Sequence, residues 1–374
     1  MKTARFIFNK IHLYLGLTSG IVVFVVSLTG CIYVFEEEAR DVFQSKYFYV
    51  ENPKLQVRKT LFEISDAVKK VYPKEKITQI RFESAPESAY LYHTKSKKAI
   101  SINPYSLKII GERDLESDFF KFILDIHLNL KMGEIGEQII RWNVLIFLIM
   151  VISGIVIWLP KQGKFLKQAL TIKWKTKNLK RLIWDLHSVL GFYASFVLLI
   201  IALTGVFWVF DSAKNLVSLI TGEKITKTKA PENVSKLATS FTLEKAYYVA
   251  KAEFSGENQT FISYPEKENQ PIRVLFRYPY TIVRKQNTIF FDKHSGEILR
   301  KVLFKNYTAY DKVMRSNYDF HTGRIRVLGI GSKILYFLAS LFALSLPVTG
   351  TMIWWNKNFK SKPFIYTERL QKII

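Results

Sequence analysis

The sequence predicts an α-helical membrane protein. Four transmembrane helices are laid out as two tandem repeats, each carrying one small α+β module outside the membrane. Three observations predict it. Four apolar runs are long enough to span a bilayer, lysine and arginine collect in segments that alternate with them, and the first half of the chain recurs in the second.

The runs occupy residues 11–35, 142–159, 186–210 and 333–355. Each holds about 18–25 residues almost without charge, which matches a hydrocarbon core of roughly 30 Å at about 1.5 Å rise per residue. The run VLIFLIMVISGIVIWL has no polar stripe, whereas a buried helix of a soluble protein usually shows one.

Charge gives the topology. The chain has 55 Lys+Arg against 31 Asp+Glu. Such a balance suits nucleic acid or a membrane, and position decides between them. Lys2, Arg5 and Lys10 precede the first run. Eight Lys/Arg and no acid fill residues 160–181 between the second and third, and the tail is basic too. These three segments lie on one side of a four-span chain, and the positive-inside rule makes it the cytoplasmic side. Trp158, Trp184, Trp354 and Trp355 belong to that face and Trp142 and Trp208 to the other, as interfacial belts do. Nucleic-acid binding is excluded as the meaning of the charge.

The expected layout follows in chain order. Residues 1–10 form a cytoplasmic N-terminus, 11–35 the first transmembrane helix and 36–125 the first outer module. Residues 126–160 hold a histidine segment and the second transmembrane helix, and 161–185 a basic cytoplasmic loop. Residues 186–210 form the third transmembrane helix and 211–320 the second outer module. Residues 321–356 hold a histidine segment and the fourth helix, and 357–374 a cytoplasmic tail.

The repeat is ungapped across the first and third runs. His12, Gly16, Thr29 and Gly30 recur 175 residues later as His187, Gly191, Thr204 and Gly205. The second and fourth runs match more loosely. Each follows a histidine, His127 or His321, and each ends in a small-Gly-apolar-Trp signature, SGIVIW or TGTMIW. In each outer module one amphipathic helix is followed by short alternating strands, with hairpin turns at INPYSLKI and FDKHSGEI. The same repeat disposes of another possibility. Leu28-Thr29-Gly30-Cys31 resembles the end of a lipoprotein signal, but Leu203-Thr204-Gly205-Val206 has the same form mid-chain, and signal cores run only about 7–15 residues. Thr29-Gly30 is then a helix-packing element and Cys31, the one cysteine, is incidental. A single cysteine forms no intrachain disulfide.

Four of the six histidines stand at the start of a run, one per run, where a titratable group is costly and points to function. His93 and His294 fall in the modules and have no special role. Topology pairs His12 with His187 on the inner side and His127 with His321 on the outer. Two imidazoles at one depth suit the two axial positions of a haem iron. A structural zinc wants four ligands and a catalytic zinc usually three. Gly16 and Gly191, one turn from a histidine, either leave room for a flat macrocycle or pack helices as in Gly16-Leu-Thr-Ser-Gly20. A helix from His127 to 159 would be about 48 Å long, too long for one span. Gly133 and Gly136 are therefore expected to break it. Asp125, Asp185 and Asp319 each precede a histidine by two, a spacing that does not bring side chains together on a helix. Arg141, Arg324 and Arg326 are candidates for haem propionates or an anionic chelate, or are ordinary interfacial charge.

The paired pattern His12/Gly16/Thr29/Gly30, His127/Gly133/Glu134/Gly136, His187/Gly191/Thr204/Gly205 and His321 resembles the PepSY-associated transmembrane family, and the outer modules resemble PepSY domains. The resemblance covers nearly the whole chain. It implies an iron-regulated protein of the bacterial inner membrane, with cytoplasmic termini and periplasmic PepSY-like modules. The family includes FoxB-like ferrisiderophore reductases. By that likeness the chain is a haem-dependent ferric-siderophore reductase with two haem b groups. His12 and His187 would hold the inner iron, and His127 and His321 the outer. Its partners would be a ferric siderophore, the lipid bilayer and a separate electron donor. That donor would be quinol or a cytoplasmic reductase, because the cytoplasmic segments hold no Gly-rich nucleotide motif. The alternatives are a haem-free scaffold binding a periplasmic peptide, protease or envelope partner, and a siderophore transporter.

Overall fold

The computed structural model describes residues 2–51, 56–225, 230–234 and 241–359; most of the basic tail expected at 357–374 lies outside the described residues. Four helices are long and apolar enough to cross a membrane: Ala4–Tyr33, Gly133–Trp158, Leu179–Val209 and Ile330–Asn358. They are the first to fourth spans below. The first and third spans each pack on the second and the fourth, so the four close into a bundle. Val151, Ala194, Val197, Leu198, Ala339 and Ala343 fill its middle.

Two shorter helices complete the bundle at one end. Phe119–Asn129 packs on the first and second spans, and Ala309–Thr322 packs on the third. The expected break after His127 is present. Leu130, Lys131 and Gly133 are left-handed at φ 55°, 58° and 58°, and a side chain on Gly136 would collide with the Asn129 carbonyl oxygen. The turn after His321 uses Gly323 at φ 69°, where a Cβ would stand 2.7 Å from the Tyr336 ring.

Outside the spans, the two expected modules are one sheet. Eight antiparallel strands run in the order β4-β3-β2-β1-β5-β6-β7-β8. The first half supplies β1 (Ile77–Glu83), β2 (Tyr90–Thr94), β3 (Lys98–Ile102) and β4 (Ile109–Asp114). The second supplies β5 (Gln259–Ser263), β6 (Ile272–Arg277), β7 (Gln286–Phe291) and β8 (Ile298–Val302). The halves join where β1 pairs with β5, from Gln79 opposite Ser263 to Glu83 opposite Gln259. Alone, each half would expose that strand as an open edge, and pairing removes both edges.

Alternation along the strands sends Ile80, Tyr92, Ile100, Ile262, Val274, Ile289 and Phe291 to one face. The amphipathic helices Leu61–Val71 and Leu243–Glu253 cover that face with Ile64, Val68, Leu243, Ala246 and Ala250. A capping box of Thr60 and Glu63 starts the first helix, and Thr242 caps the second. Both expected hairpin turns form. Asn103 accepts from the amides of Tyr105 and Ser106, and Asp292 from those of His294 and Ser295.

Candidate functional site: two histidine pairs

The bundle brings four histidines together as two pairs. His12 and His187 meet at the end far from the sheet, with ring centroids 6.3 Å apart and planes at 86°. His127 and His321 meet at the sheet end, also at 6.3 Å, with planes at 76°. His12 lies on the first span. His187 lies on the third, inside a π-helical turn from Leu186 to Leu190, a distortion often found at functional sites. His127 and His321 stand near the C-terminal ends of the two shorter helices.

Each imidazole is gripped in the same way by a neighbouring span. Nδ1 of His12 meets Ser153 Oγ at 2.9 Å, and Nδ1 of His187 meets Thr349 Oγ1 at 2.9 Å. Nδ1 of His127 meets Thr29 Oγ1 at 2.9 Å, and Nδ1 of His321 meets Thr204 Oγ1 at 3.0 Å. Each hydroxyl also donates to a carbonyl of its own helix: Met150 for Ser153, Ser345 for Thr349, Val25 for Thr29 and Ile200 for Thr204. With its hydrogen committed there, the oxygen accepts from the ring. His321 Nδ1 also meets the Ile201 carbonyl at 3.1 Å, and a carbonyl only accepts. The network therefore assigns the proton to Nδ1 and leaves the lone pair on Nε2.

The residue after each hydroxyl is glycine. A Cβ on Gly154 or Gly350 would stand 3.3 or 3.2 Å from Cε1 of His12 or His187. On Gly30 or Gly205 it would stand 3.7 or 3.5 Å from Cε1 of His127 or His321, and on Gly205 also 2.9 Å from Val144. Four Ser/Thr-Gly dipeptides thus each hold one histidine. Thr29-Gly30, expected as a helix-packing element, is one of them. Ser153-Gly154 and Thr349-Gly350 lie in the SGIVIW and TGTMIW signatures, whose repetition was the available signal for them. Gly16 and Gly191 stand against neighbouring spans, where a Cβ would make ordinary contact with Met150 or Leu346 at 3.5 Å.

The donor set fits an iron held on two opposite sides. A centroid separation of 6.3 Å leaves room for two metal–imidazole bonds of about 2 Å each plus the two ring radii. Among the described residues, no group of three or more His, Cys, Asp or Glu could hold a metal ion, so zinc-type sites are disfavoured. Haem, which brings four nitrogens of its own, would need two protein donors, and each pair supplies two.

The carboxylates near the histidines are engaged elsewhere. Asp125 pairs with Lys121 and Lys131, Asp185 with Arg181, and Asp319 with Arg284. Arg324 is paired with Glu36 at 2.9 Å and Glu37 at 3.2 Å, and Arg326 with Glu37 at 3.4 Å. Lys333 joins Glu37 and Glu38. Of the three arginine candidates, Arg141 alone has no carboxylate partner among the described residues. It stacks over Phe210, and its Nε is buried without a hydrogen bond, as is Oη of Tyr336. Trp208, expected only as an interfacial anchor, lies 4.7 Å from the His321 ring.

The model of the family described as PepSY-associated TM region matches residues 9–357, a stretch that contains all four histidines. No curated protein matches the chain.

Proposed function

The chain belongs to the PepSY-associated TM region family, and from its two histidine pairs we propose a di-haem electron conduit of the bacterial inner membrane. In this reading the sheet is periplasmic, the termini are cytoplasmic, and the two halves are tandem copies of one unit. The protein reduces Fe(III) in a siderophore on the sheet side. The observation that carries the proposal is the pairing itself: two imidazoles 6.3 Å apart, each with Nδ1 engaged by a hydroxyl, at both ends of one bundle.

His12 and His187 would bind one haem b, and His127 and His321 the second. Bound there, the two groups would supply reversible one-electron carriers. The chain's own residues do the rest. The hydroxyls keep Nδ1 protonated and leave the Nε2 lone pair free, raising its basicity as a ligand. The apolar layer of Val151, Val197, Leu198 and Ala343 excludes water between the pairs. A separate donor, quinol or a cytoplasmic reductase, supplies one electron per Fe(III). The product Fe(II) is held less tightly by hard siderophore oxygens.

The test is the spectrum of the purified protein. Six-coordinate low-spin haem at two per chain is expected, falling to one per chain in His127→Ala and in His12→Ala. A haem-free preparation from haem-replete cells would sink the proposal and favour a scaffold. Siderophore uptake that survives loss of the histidines would favour a transporter.

A further inference from the structure

The face of the sheet away from its core is strongly cationic. Alternation places Arg81, Arg113, Arg273, Arg277 and Arg300 there, and pairing aligns them across the strands. Phe261 of β5 is the centre. Arg81 lies over its ring at 5.3 Å and Arg277 at 4.9 Å. Arg273 is its diagonal neighbour on β6. Glu83 is the only acid that the strands place on this face. It lies 3.7 Å from Arg81 and accepts from Gln259.

Arg273 and Arg277 are anomalous. Both are half-buried, yet among the described residues neither pairs with a carboxylate. Arg277 donates to the amide oxygen of Gln259 at 2.9 Å, and Arg273 to Ser263 Oγ at 3.3 Å. Nε of each is buried without a partner. Burial, and then Arg284 and Arg81 against an opposing pull from Tyr280 and Asp319, pushes the Arg277 guanidinium down to about 10. Buried charge is normally paired, because desolvating it alone is costly. Two half-buried guanidiniums on one face, neither bonded to a carboxylate among the described residues and each with a buried Nε unpartnered, make a site short of an anion.

We propose that Arg81, Arg273 and Arg277, around Phe261, bind a carboxylate-bearing ligand on the outer face of the sheet. Guanidiniums take carboxylates through paired N–H donors, and the Phe261 ring offers a flat apolar floor between them. The site deepens the proposed function, on which its physiological meaning rests, by naming a carboxylate-type ferric chelate as the substrate class.

The experiment uses the full chain in nanodiscs of phosphatidylcholine, a net-neutral lipid, with gallium(III) citrate as a redox-inert probe. Saturable binding is expected that weakens as salt rises, with at least a tenfold loss in the double variant R273Q/R277Q. Lys301→Gln, on the opposite face at β8, should bind as the parent does. The probe should raise the melting temperature of the parent. R273Q/R277Q should melt at or above the parent's own temperature, since unpaired like charges are gone. Equal binding by parent and double variant, or no binding up to about 10 mM, overturns the proposal. So does a double variant that melts well below the parent, because the arginines would then be structural. Inorganic phosphate competing as well as citrate overturns the carboxylate assignment. None of these readouts needs haem, so failure here leaves the conduit standing, and a haem-free protein that binds gallium citrate sinks the conduit alone.

Discussion

The two histidine pairs have one geometry and two different supports. At the sheet-distal end all four partners, His12, Ser153, His187 and Thr349, stand on the spans themselves. At the sheet-proximal end the hydroxyls of Thr29 and Thr204 are on spans, but His127 and His321 are carried on short helices continuous with the sheet domain. The distal pair is therefore assembled by bundle packing alone. The proximal pair also needs the extramembrane part docked. Glu36, Glu37 and Glu38 hold Arg324 and Lys333, Arg284 holds Asp319, and Asn317 donates to the Thr204 carbonyl at 3.0 Å. One constellation can thus be rigid by construction at one end and conditional on a second domain at the other.

The largest effect that tests this contrast comes from Arg324→Ala. It removes the guanidinium that Glu36 and Glu37 share, leaving Glu36 with Arg40 and Glu37 with Lys333 and Arg326, and should cost about 2–3 kcal/mol of stability. Thermal unfolding followed by two probes should show the His127–His321 site loosening first, with the His12–His187 site unchanged. Simultaneous loss of both would break the comparison.

Removing a hydroxyl is milder. Thr29→Val should cost about 1–2 kcal/mol by removing the hydroxyl that His127 Nδ1 meets at 2.9 Å, and lower metal affinity at that pair about 10–100-fold. Thr204→Val should do less, because the Ile201 carbonyl and the Trp208 ring still position His321. Haem retention and the low-spin EPR signal of each variant measure the difference; equal losses would show that the hydroxyl alone sets the ring.

Glycine substitutions grade the fit. Gly154→Ala and Gly350→Ala should disturb the distal pair, where the added Cβ falls at 3.3 and 3.2 Å from the ring. Gly30→Ala, at 3.7 Å, should be close to neutral in spectrum and stability. The reverse order would mean the distal end yields more readily than its all-span support implies.

The smallest effect is on pH. Burial, and then Arg81 and Arg113, push His93 down to about 4. Unfolded, it titrates near 6.5, so below that pH the unfolded state takes up the proton first. Stability should therefore fall as pH drops from about 6.5 toward 4, and His93→Gln should flatten that slope in melts of the full protein. An unchanged slope would assign the acid sensitivity to other groups.

Much of the bundle was legible in the sequence because its signals are local. Apolar length gives the spans, and Gly133 with Gly136 gives the break after His127. The pairing of His12 with His187 and of His127 with His321 followed from topology, since helices that start on one side place their first residues at one depth. The Ser/Thr-Gly dipeptides were visible as repeats. Their task was hidden, because each grips a histidine on another helix, from 98 residues away for Thr29 to 162 for Thr349.

The sequence by itself determined the elements: four spans, two amphipathic helices, eight strands' worth of alternation and one histidine for each span. Hydropathy and periodicity are properties of a single segment, so they survive without a fold. Only the tertiary structure decided how segments face one another. It closed the two modules into one sheet through β1 and β5, gave Arg324 and Arg326 to Glu36 and Glu37, and set Arg273 and Arg277 on one face of β6 with no carboxylate bonded to either among the described residues. Edge pairing and counter-ion choice depend on the distance between parts far apart in the chain, and no local pattern records that distance.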